Sequence, residues 1–384
     1  MKVVVAIDSL KGSLSSIEAG NAIKLGILNT YQDAMVDVKP LADGGEGTVD
    51  ALVEGMNGEY KTIDVMGPIG ERVKATYGIL KEKNTVIIEM AQASGLPLVP
   101  VEKRNPLNTT TYGVGEIIKE AVENGYRNFI VGIGGSATND CGVGMLQALG
   151  FKFYDKDNNE VGLGGKVLKD IYTINTSDRI KGLDECTFKV ACDVKNPLYG
   201  ENGAAYIYGP QKGATEEIVK ELDSGLKAFA EVVKNNLGKD LANVEGVGAA
   251  GGLGFGFLTF LNSNLESGVK IILDEINLEE LIKESDLVIT GEGRLDNQTA
   301  MGKAPIGVAK LAKKYNKKVI AFAGELTDDS KACNDNGIDA YFSIINKTMT
   351  LEEAMKSENA KKNMTQTVEQ VFNLIKVLNY IITK

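Results

Sequence analysis

Histidine is absent from the chain of 384 residues. Its absence excludes Ser-His-Asp hydrolases and every other mechanism that uses an imidazole base. It also excludes cysteine–histidine nucleophiles and zinc sites built on histidine. The four cysteines contain no CxxC pair, and we expect them to be reduced and mostly structural. Acid–base chemistry must therefore come from Asp, Glu, Lys or Tyr.

Long hydrophobic runs and an excess of positive charge are missing as well. The apolar run before Asp8 and the glycine-rich run 246–260 are too short for a signal peptide or a membrane span. We therefore expect a cytoplasmic protein without a membrane partner. The 42 Lys and Arg against 52 Asp and Glu give a net charge of 42 − 52 = −10, which does not suggest a nucleic-acid partner.

Both ends of the chain alternate strand and helix patterns, which is typical of a doubly wound α/β fold. Short β-branched or apolar runs predict the strands, and apolar residues at helical spacing predict the helices. The predicted strands are 3–7, 35–39, 286–290, 318–323 and 340–344, and the predicted helices are 13–28, 43–56, 304–315 and 364–382.

The middle of the chain has a different order of predicted elements. Short strand-like runs at 62–65, 73–80 and 85–90 are joined by GPIGE and KEKN, which predict antiparallel hairpins. We therefore predict a discontinuous parallel-sheet α/β domain of residues 1–67 and 285–384. Residues 68–284 form an inserted α/β domain with antiparallel strands, and we expect the ligand site in a cleft between the two domains.

Five polar or glycine-rich loops follow predicted strands or precede predicted helices. In open α/β sheets, ligands bind at the carboxyl ends of strands, and helix N-termini bind anions. These loops therefore predict sites for a small anionic ligand. In chain order the loops are DSLKGSLSS (8–16), PLADGGEGTVD (40–50), GIGGSATND (132–140), ACDVKNPLYGENGA (191–204) and TGEGRLDNQTAMGKAP (290–305).

The last of these loops contains Arg294, Asp296 and Lys303. Asp296 either forms an ordinary loop ion pair with Arg294 or has a functional role beyond the strand end, and we favour the role. Lys303 is not the lysine of a Walker A motif. Ala304 follows it where Ser or Thr belongs, and Asn297 occupies the position of the first glycine.

The first two loops offer a cation and two acids. Ser9 and Lys11 lie between a strand and a helix, where Lys11 either binds a phosphate or carboxylate or is a solvated lysine. Asp43 and Glu46 flank two glycines at a helix start. They either cap that helix or hold Mg²⁺, which favours one or two carboxylates together with phosphate oxygens.

The loop GIGGSATND matches the weak pattern G-x-G-x-x-A of dinucleotide-binding proteins. A nicotinamide-dependent hydroxy-acid dehydrogenase therefore stays open as an alternative. We favour phosphate binding by the backbone of Gly134 and Gly135, with the polar side chains of Ser136, Thr138 and Asn139 as further contacts.

The loop at 191–204 places Asp193 directly after a predicted strand. Its carboxylate either accepts a hydroxyl proton or orients a metal ion, and the alternative is simple turn chemistry around Asn196 and Pro197. The run GVGAAGGLGFGF (246–257) predicts tight backbone packing or a glycine-rich loop.

With these motifs, the chain resembles the bacterial type-1 glycerate kinases. The similarity covers nearly the whole length, through DSLKGSLSS, PLADGGEGTVDAL, GIGGSATND, GPQKGA, GAAGGLG and TGEGRLDNQTAMGKAPIGVA. Leu10 and Cys141 depart from the family, which tends to have Phe and Gly there. The resemblance implies a Rossmann- or flavodoxin-like domain with an inserted domain. It also implies ATP- and Mg²⁺-dependent phosphorylation of D-glycerate, usually at the 2-hydroxyl, to 2-phosphoglycerate.

Phosphoryl transfer requires positioning and charge neutralisation, which Lys, Arg, backbone N–H groups and a carboxylate-held Mg²⁺ supply without histidine. We expect the loop 134–139 to bind nucleotide phosphates. Lys11, Ser9, Arg294 and Lys303 would bind the substrate or the transferring phosphoryl group. Of Asp193 and Asp296, one would orient the attacking hydroxyl and the other would join Asp43 around Mg²⁺. A 3-phosphoglycerate product and a non-catalytic sugar-acid-binding protein are the remaining alternatives.

Overall fold

A computed structural model of the chain describes residues 1–42 and 47–382. The strands are β1 Lys2–Ile7, β2 Met35–Pro40, β3 Glu59–Met66, β4 Arg72–Leu80, β5 Thr85–Glu89, β6 Asn128–Gly132, β7 Lys152–Tyr154, β8 Thr173–Asn175, β9 Thr187–Ala191, β10 Ser263–Glu266, β11 Leu287–Leu295, β12 Lys318–Leu326 and β13 Ala340–Ser343.

The α-helices alternate with these strands through most of the chain. They are α1 Ser16–Thr30, α2 Thr48–Gly55, α3 Ala91–Ser94, α4 Tyr112–Glu123, α5 Val143–Ala148, α6 Ala204–Tyr208, α7 Glu216–Leu237, α8 Ala249–Phe260, α9 Gly268–Glu275, α10 Leu278–Glu284, α11 Asn297–Ala300, α12 Ala304–Lys314, α13 Ala332–Asp335, α14 Leu351–Met355 and α15 Ser357–Ile382. Among the described residues, no helix is both long and apolar enough to cross a membrane.

The chain divides into two compact units. The first unit comprises Met1–Asp43, Asp50–Met56 and Val269–Lys384, and the second comprises Gly44–Val49 and Asn57–Gly268. Both ends of the chain thus contribute to the first unit. The domain limits that we predict at residues 67 and 285 stay a prediction.

The first unit contains a parallel sheet with the strand order β13-β12-β11-β1-β2. Its inner strand β1 has the sequence KVVVAI, and Val3–Ile7 are completely buried, as expected for a strand covered on both faces. The chain leaves β1 towards β2 on one side and leaves β11 towards β12 on the other. The order therefore reverses between β1 and β11, which is the topological switch point where open α/β sheets bind ligands.

The first helix packs on this sheet and is fixed at its start by a capping box. The Ser15 hydroxyl accepts a hydrogen bond from Glu18 N, and Glu18 accepts one from Ser15 N. The spacing of these two residues predicts this arrangement. The hydrophobic core formed with β1 also includes α15, where Phe372 packs edge-on against Tyr31.

The second unit contains a mixed sheet with the order β10-β9-β6-β5-β4-β3. Strands β5, β6, β9 and β10 are parallel, whereas β3–β4 and β4–β5 are antiparallel. The predicted antiparallel hairpins are confirmed. The α/β fold class is likewise confirmed, with a parallel sheet formed by the chain ends and a mixed sheet formed by the middle.

The glycine-rich run 246–257 forms most of α8, which the sequence pattern does not predict as a helix. The helix is broken at Ala250, Gly251 and Gly252, which have positive φ angles of 53°, 68° and 87°. A Cβ atom on Gly251 would lie 2.1 Å from Thr138 O, so the run packs its backbone directly against the loop at 134–141. The interpretation as tight backbone packing agrees with this geometry.

Candidate functional site

A pocket of about 330 Å³ lies in the first unit at the carboxyl ends of β1 and β11. We call it the strand-end pocket. It is small enough for a short polar ligand and sits at the topological switch point. The residues that line it are Asp8, Ser9, Lys11, Glu292, Gly293, Arg294, Asp296 and Lys303.

The turn after β1 supplies Asp8, Ser9 and Lys11. Asp8 Oδ1 accepts a hydrogen bond from Ser9 N at 2.6 Å, which holds the carboxylate against the start of the turn. Lys11 is exposed, and its ammonium forms no ion pair with any residue in 1–42 or 47–382. A strand-end cation that no described carboxylate neutralises is suited to an anionic ligand.

Strand β11 continues through the segment that the sequence pattern predicts as a loop after residue 290. Arg294 pairs with Glu325 of β12, and Leu295 pairs with Leu326. Only the buried first half of β11 is apolar, so hydrophobicity alone misses the polar half. Gly291 permits this pairing, because a Cβ atom there would lie 1.9 Å from Phe322 O.

Asp296 caps the short helix α11. Its Oδ1 accepts a hydrogen bond from Thr299 N at 3.0 Å, while its Oδ2 lies 3.6 Å from Arg294 Nε. Burial opposes ionisation of Asp296, but the Thr299 hydrogen bond and the charge of Lys303 outweigh it and hold its pKa below the usual value. Asp296 is therefore an ionised carboxylate near neutral pH. It forms the ion pair with Arg294 that is one of the two interpretations from the sequence, and its role as a helix cap is not predicted there.

Glu292 is a pocket residue that our sequence prediction omits from the site. Its Oε1 accepts a hydrogen bond from Thr299 Oγ1 at 2.6 Å, and its Oε2 lies 3.7 Å from Lys303 Nζ. Thr299 Oγ1 also lies 3.3 Å from Asp296 Oδ1, so one hydroxyl contacts both acids. The signal in the sequence is the position of Glu292 between two glycines beyond the apolar run of β11.

The glycine loop at 134–139 belongs to the second unit and follows β6. Gly134 and Gly135 are exposed, and Gly135 has a φ of +74°, which favours glycine. Ser136 is 7% exposed, whereas Thr138 and Asn139 are completely buried. The Thr138 hydroxyl and the Asn139 amide have no hydrogen-bond partner among the described residues.

Two buried charges near this loop are also missing from the sequence prediction. The Asp140 carboxylate accepts hydrogen bonds from Thr111 N at 2.7 Å and Gly142 N at 3.2 Å. Lys212 Nζ donates to Ser136 Oγ at 2.8 Å and to Thr138 O at 2.7 Å. Lys212 thus contacts the glycine loop itself, whereas Asp140 connects the residue that follows the loop to Thr111 and Gly142.

Cys141 adopts a left-handed backbone with φ of 54°, which glycine tolerates at lower cost. This conformation gives a physical reason for the glycine that the resembled family tends to have there. The thiol is completely buried and its pKa is raised well above the usual value by burial, so it stays protonated.

Asp193 also lies in the second unit and is exposed. Its Oδ1 accepts a hydrogen bond from Gly268 N at 3.2 Å. The predicted site residues thus form two groups. The strand-end pocket contains Ser9, Lys11, Arg294, Asp296 and Lys303, and the second unit contains Gly134, Gly135, Ser136, Thr138, Asn139 and Asp193. Asp43, the other predicted metal ligand, lies outside the described residues.

The described residues contain no group of three or more Cys, Asp or Glu side chains arranged to hold a metal ion. Mg²⁺ does not require such a group, because one or two carboxylates and phosphate oxygens suffice. The carboxylates of Glu292 and Asp296, which share contacts with Thr299, offer the hard oxygen donors that this ion prefers.

Comparison with known proteins identifies the family. The model of the Glycerate kinase family matches residues 3–376. The chain is 49% identical over 373 residues to the Glycerate 2-kinase of Escherichia coli (strain K12), with 96% of this chain and 98% of that protein covered. It is 47% identical over 367 residues to the Glycerate kinase of Halalkalibacterium halodurans, with 94% and 97% covered.

The fold is shared with a solved structure as well. The crystal structure of a protein described as glycerate kinase 2 from Salmonella typhimurium LT2 matches with a TM-score of 0.92 and 45% identity, over 99% of each chain. None of these matches supports the two alternative functions, a nicotinamide-dependent dehydrogenase and a non-catalytic sugar-acid-binding protein. The resemblance carried by the motifs is confirmed: the chain belongs to the glycerate kinase family, and it is an enzyme, a kinase.

Proposed function

We propose that this kinase transfers the γ-phosphoryl group of ATP to the 2-hydroxyl of D-glycerate, forming ADP and 2-phosphoglycerate. The observation that carries the proposal is the strand-end pocket, which combines the cations Lys11, Arg294 and Lys303 at a topological switch point. The relative from Escherichia coli is named a Glycerate 2-kinase, which supports the 2-hydroxyl as the acceptor.

The cations of the pocket suit the charge of the reactants. Glycerate carries a carboxylate, and the transferring phosphoryl group spreads negative charge over its oxygens. Arg294, whose side chain is 56% exposed, offers a planar fork for two oxygens, whereas Lys11 offers a mobile point charge. We assign substrate binding to these two residues, with Ser9 and Lys303 as supporting contacts.

The acids of the pocket suit orientation of the acceptor better than strong base catalysis. The lowered pKa of Asp296 makes its carboxylate a weak base that is ionised under working conditions. A loose phosphoryl-transfer transition state requires little removal of the hydroxyl proton before bond formation. We therefore assign Asp296 to orienting the hydroxyl and accepting its proton late in the transfer. The exposed Asp193 is the alternative.

Glu292 is the described carboxylate that would hold Mg²⁺, with Asp43 as a further predicted ligand. Asp296 would join them in the alternative in which Asp193 orients the hydroxyl. When bound, Mg²⁺ supplies positive charge to the oxygens of the β- and γ-phosphates. Lys303 Nζ lies 3.7 Å from Glu292 Oε2, and its charge helps to lower the pKa of Asp296, so this lysine partly neutralises both acids.

We assign the binding of the nucleotide phosphates to the glycine loop of the second unit. The exposed Gly134 and Gly135 offer backbone N–H groups, and Ser136 offers a hydroxyl. Thr138 and Asn139 are completely buried in this structure. We therefore propose that they support the conformation of the loop and do not contact the nucleotide.

The proposal is tested by the donor and acceptor requirements of the purified enzyme. Formation of phosphoglycerate is measured with Mg²⁺, D-glycerate and ATP, together with ADP release, and GTP and pyrophosphate replace ATP in parallel reactions in which only phosphoglycerate is followed. We expect ADP release that requires both ATP and D-glycerate. Turnover with another donor but none with ATP would overturn the assignment of ATP.

A further inference from the structure

Lys212 is a buried lysine that the mechanism above does not use. Its side chain is 2% exposed, and it lies in a tight turn of the segment GPQKGA. Burying an ammonium is costly unless acceptors satisfy it. Ser136 Oγ and Thr138 O accept two of its three N–H groups, at 2.8 Å and 2.7 Å. Both acceptors belong to the glycine loop.

The contact with Lys212 determines whether the Ser136 hydroxyl donates or accepts a hydrogen bond there. An ammonium has no lone pair and only donates, so the Ser136 oxygen must accept from it. The Ser136 hydrogen then remains for a different acceptor, and the side chain forms no second hydrogen bond with the described residues. Lys212 thus leaves Ser136 as a donor beside the exposed Gly134 and Gly135.

Lys212 forms no ion pair with any residue in the described part of the chain. Asp140 is the ionisable neighbour whose charge acts on it, and that carboxylate is engaged by Thr111 N and Gly142 N. Burial raises the pKa of Asp140, and the adjacent Cys141 thiol is neutral. Burial lowers the pKa of Lys212 to about 7, with Asp140 opposing the shift.

We propose that Lys212 is a positioning residue for the nucleotide: its ammonium directs the Ser136 hydroxyl to a phosphate oxygen and holds the backbone of the glycine loop at Thr138. This inference rests on the proposed function, in which residues 134–139 bind nucleotide phosphates. When Lys212 loses its proton, its lone pair becomes an acceptor for the Ser136 hydroxyl. That lone pair competes with the phosphate for the Ser136 hydrogen, and the positive charge next to the loop is lost.

The test compares Lys212→Met and Ser136→Ala with Lys239→Met as the matched control. Lys239 belongs to the same unit, and its ammonium also donates to a backbone carbonyl, that of Thr259. We expect Lys212→Met and Ser136→Ala each to raise KM for ATP at least about tenfold while KM for D-glycerate changes less than about twofold. The double variant should be no worse than Lys212→Met alone, and Lys239→Met should leave both constants unchanged.

A pH series supplies a readout that a merely structural lysine would not move. From about pH 7 to about pH 9, phosphate groups with a second pKa near 6 are already ionised. KM for ATP in the wild-type enzyme should rise across this range as Lys212 deprotonates. In Lys212→Arg the guanidinium stays charged, so the rise should disappear while tight binding of ATP is retained. The wild-type series and Ser136→Ala keep the test valid if Lys212→Met does not fold.

The outcomes separate this inference from the proposed function. If Ser136→Ala raises KM for ATP but Lys212→Met behaves like Lys239→Met, the glycine loop binds ATP and Lys212 does not position it. Equal effects of Lys212→Met on both substrates, without pH dependence in the wild-type enzyme, would also overturn the inference. If neither Ser136→Ala nor Lys212→Met changes KM for ATP, the nucleotide site assigned to the loop is wrong as well.

Discussion

Arg294 Nε lies 3.6 Å from Asp296 Oδ2 at the edge of the strand-end pocket. The Asp296 side chain is 16% exposed, whereas Arg294 is 56% exposed. The acid is thus held in place by its helix cap, and the guanidinium extends into solvent. Such a pair keeps an ionised carboxylate and an accessible cation within reach of one small ligand.

Asp296→Asn tests the acid without removing the cap, because Asn is as good a helix N-cap as Asp. If Asp296 accepts the hydroxyl proton, kcat should fall by at least about 10²-fold with little change in stability. Steady-state kinetics and thermal unfolding measure the two effects. Asp339→Asn, which removes an acid that pairs with Lys313 outside the pocket, is the control. A kcat near that of the wild-type enzyme would show that Asp296 is not the base.

Lys11→Met tests the pocket cation that pairs with none of the described acids. Loss of a charge-assisted hydrogen bond to the glycerate carboxylate should raise KM for D-glycerate by about 10- to 100-fold. The exposed Lys24 of α1, changed to Met in a parallel variant, controls for the loss of one surface charge in the same unit. The assignment fails if the two variants have the same KM for D-glycerate.

Glu292→Gln tests the proposed Mg²⁺ ligand. Gln keeps the shape and the hydrogen bond from Thr299 but lacks the negative charge. The Mg²⁺ concentration for half-maximal activity should rise about tenfold or more, and saturating Mg²⁺ should restore part of the rate. A titration of activity with Mg²⁺ measures this directly. If the Mg²⁺ requirement is unchanged and activity is lower at all Mg²⁺ concentrations, Glu292 has a role other than binding Mg²⁺.

Lys212→Met should change how stability depends on pH. Lys212 has a folded-state pKa of about 7, below the usual 10.5, so between these values the unfolded chain binds a proton that the native protein lacks. The free energy of unfolding of the wild-type protein should therefore rise with pH relative to the variant, by up to about 1.4 kcal/mol per pH unit. Urea unfolding followed by circular dichroism at about pH 7 and about pH 9 tests this. Parallel pH dependences would contradict it.

The fold follows from local patterns to a large extent. The buried run KVVVAI predicts an inner parallel strand, and Ser15 with Glu18 predicts the start of α1. The sequence pattern predicts too short a strand β11, because the polar second half of this strand is extended only through its pairing with β12. It also misses α8, since a left-handed break at Gly251 and Gly252 depends on packing against Thr138 and Cys141.

The strand-end residues of the site are predictable because parallel strands bring their carboxyl ends together. Ser9, Lys11 and Arg294 are found in this way, although they come from opposite ends of the chain. Lys212 is not, because its partner Ser136 lies 76 residues away and no local pattern links a lysine in a turn to a distant glycine loop. Its flanking glycine and proline indicate only a turn.

The most direct test of the central claim is ³¹P NMR of the product formed from D-glycerate, ATP and Mg²⁺. Coupling of the phosphorus to the protons of the bearing carbon distinguishes the two esters, since C2 carries one hydrogen and C3 carries two. We predict the signal of 2-phosphoglycerate together with ADP. A signal of 3-phosphoglycerate would contradict the proposed acceptor hydroxyl, and the absence of both esters would contradict the proposed reaction.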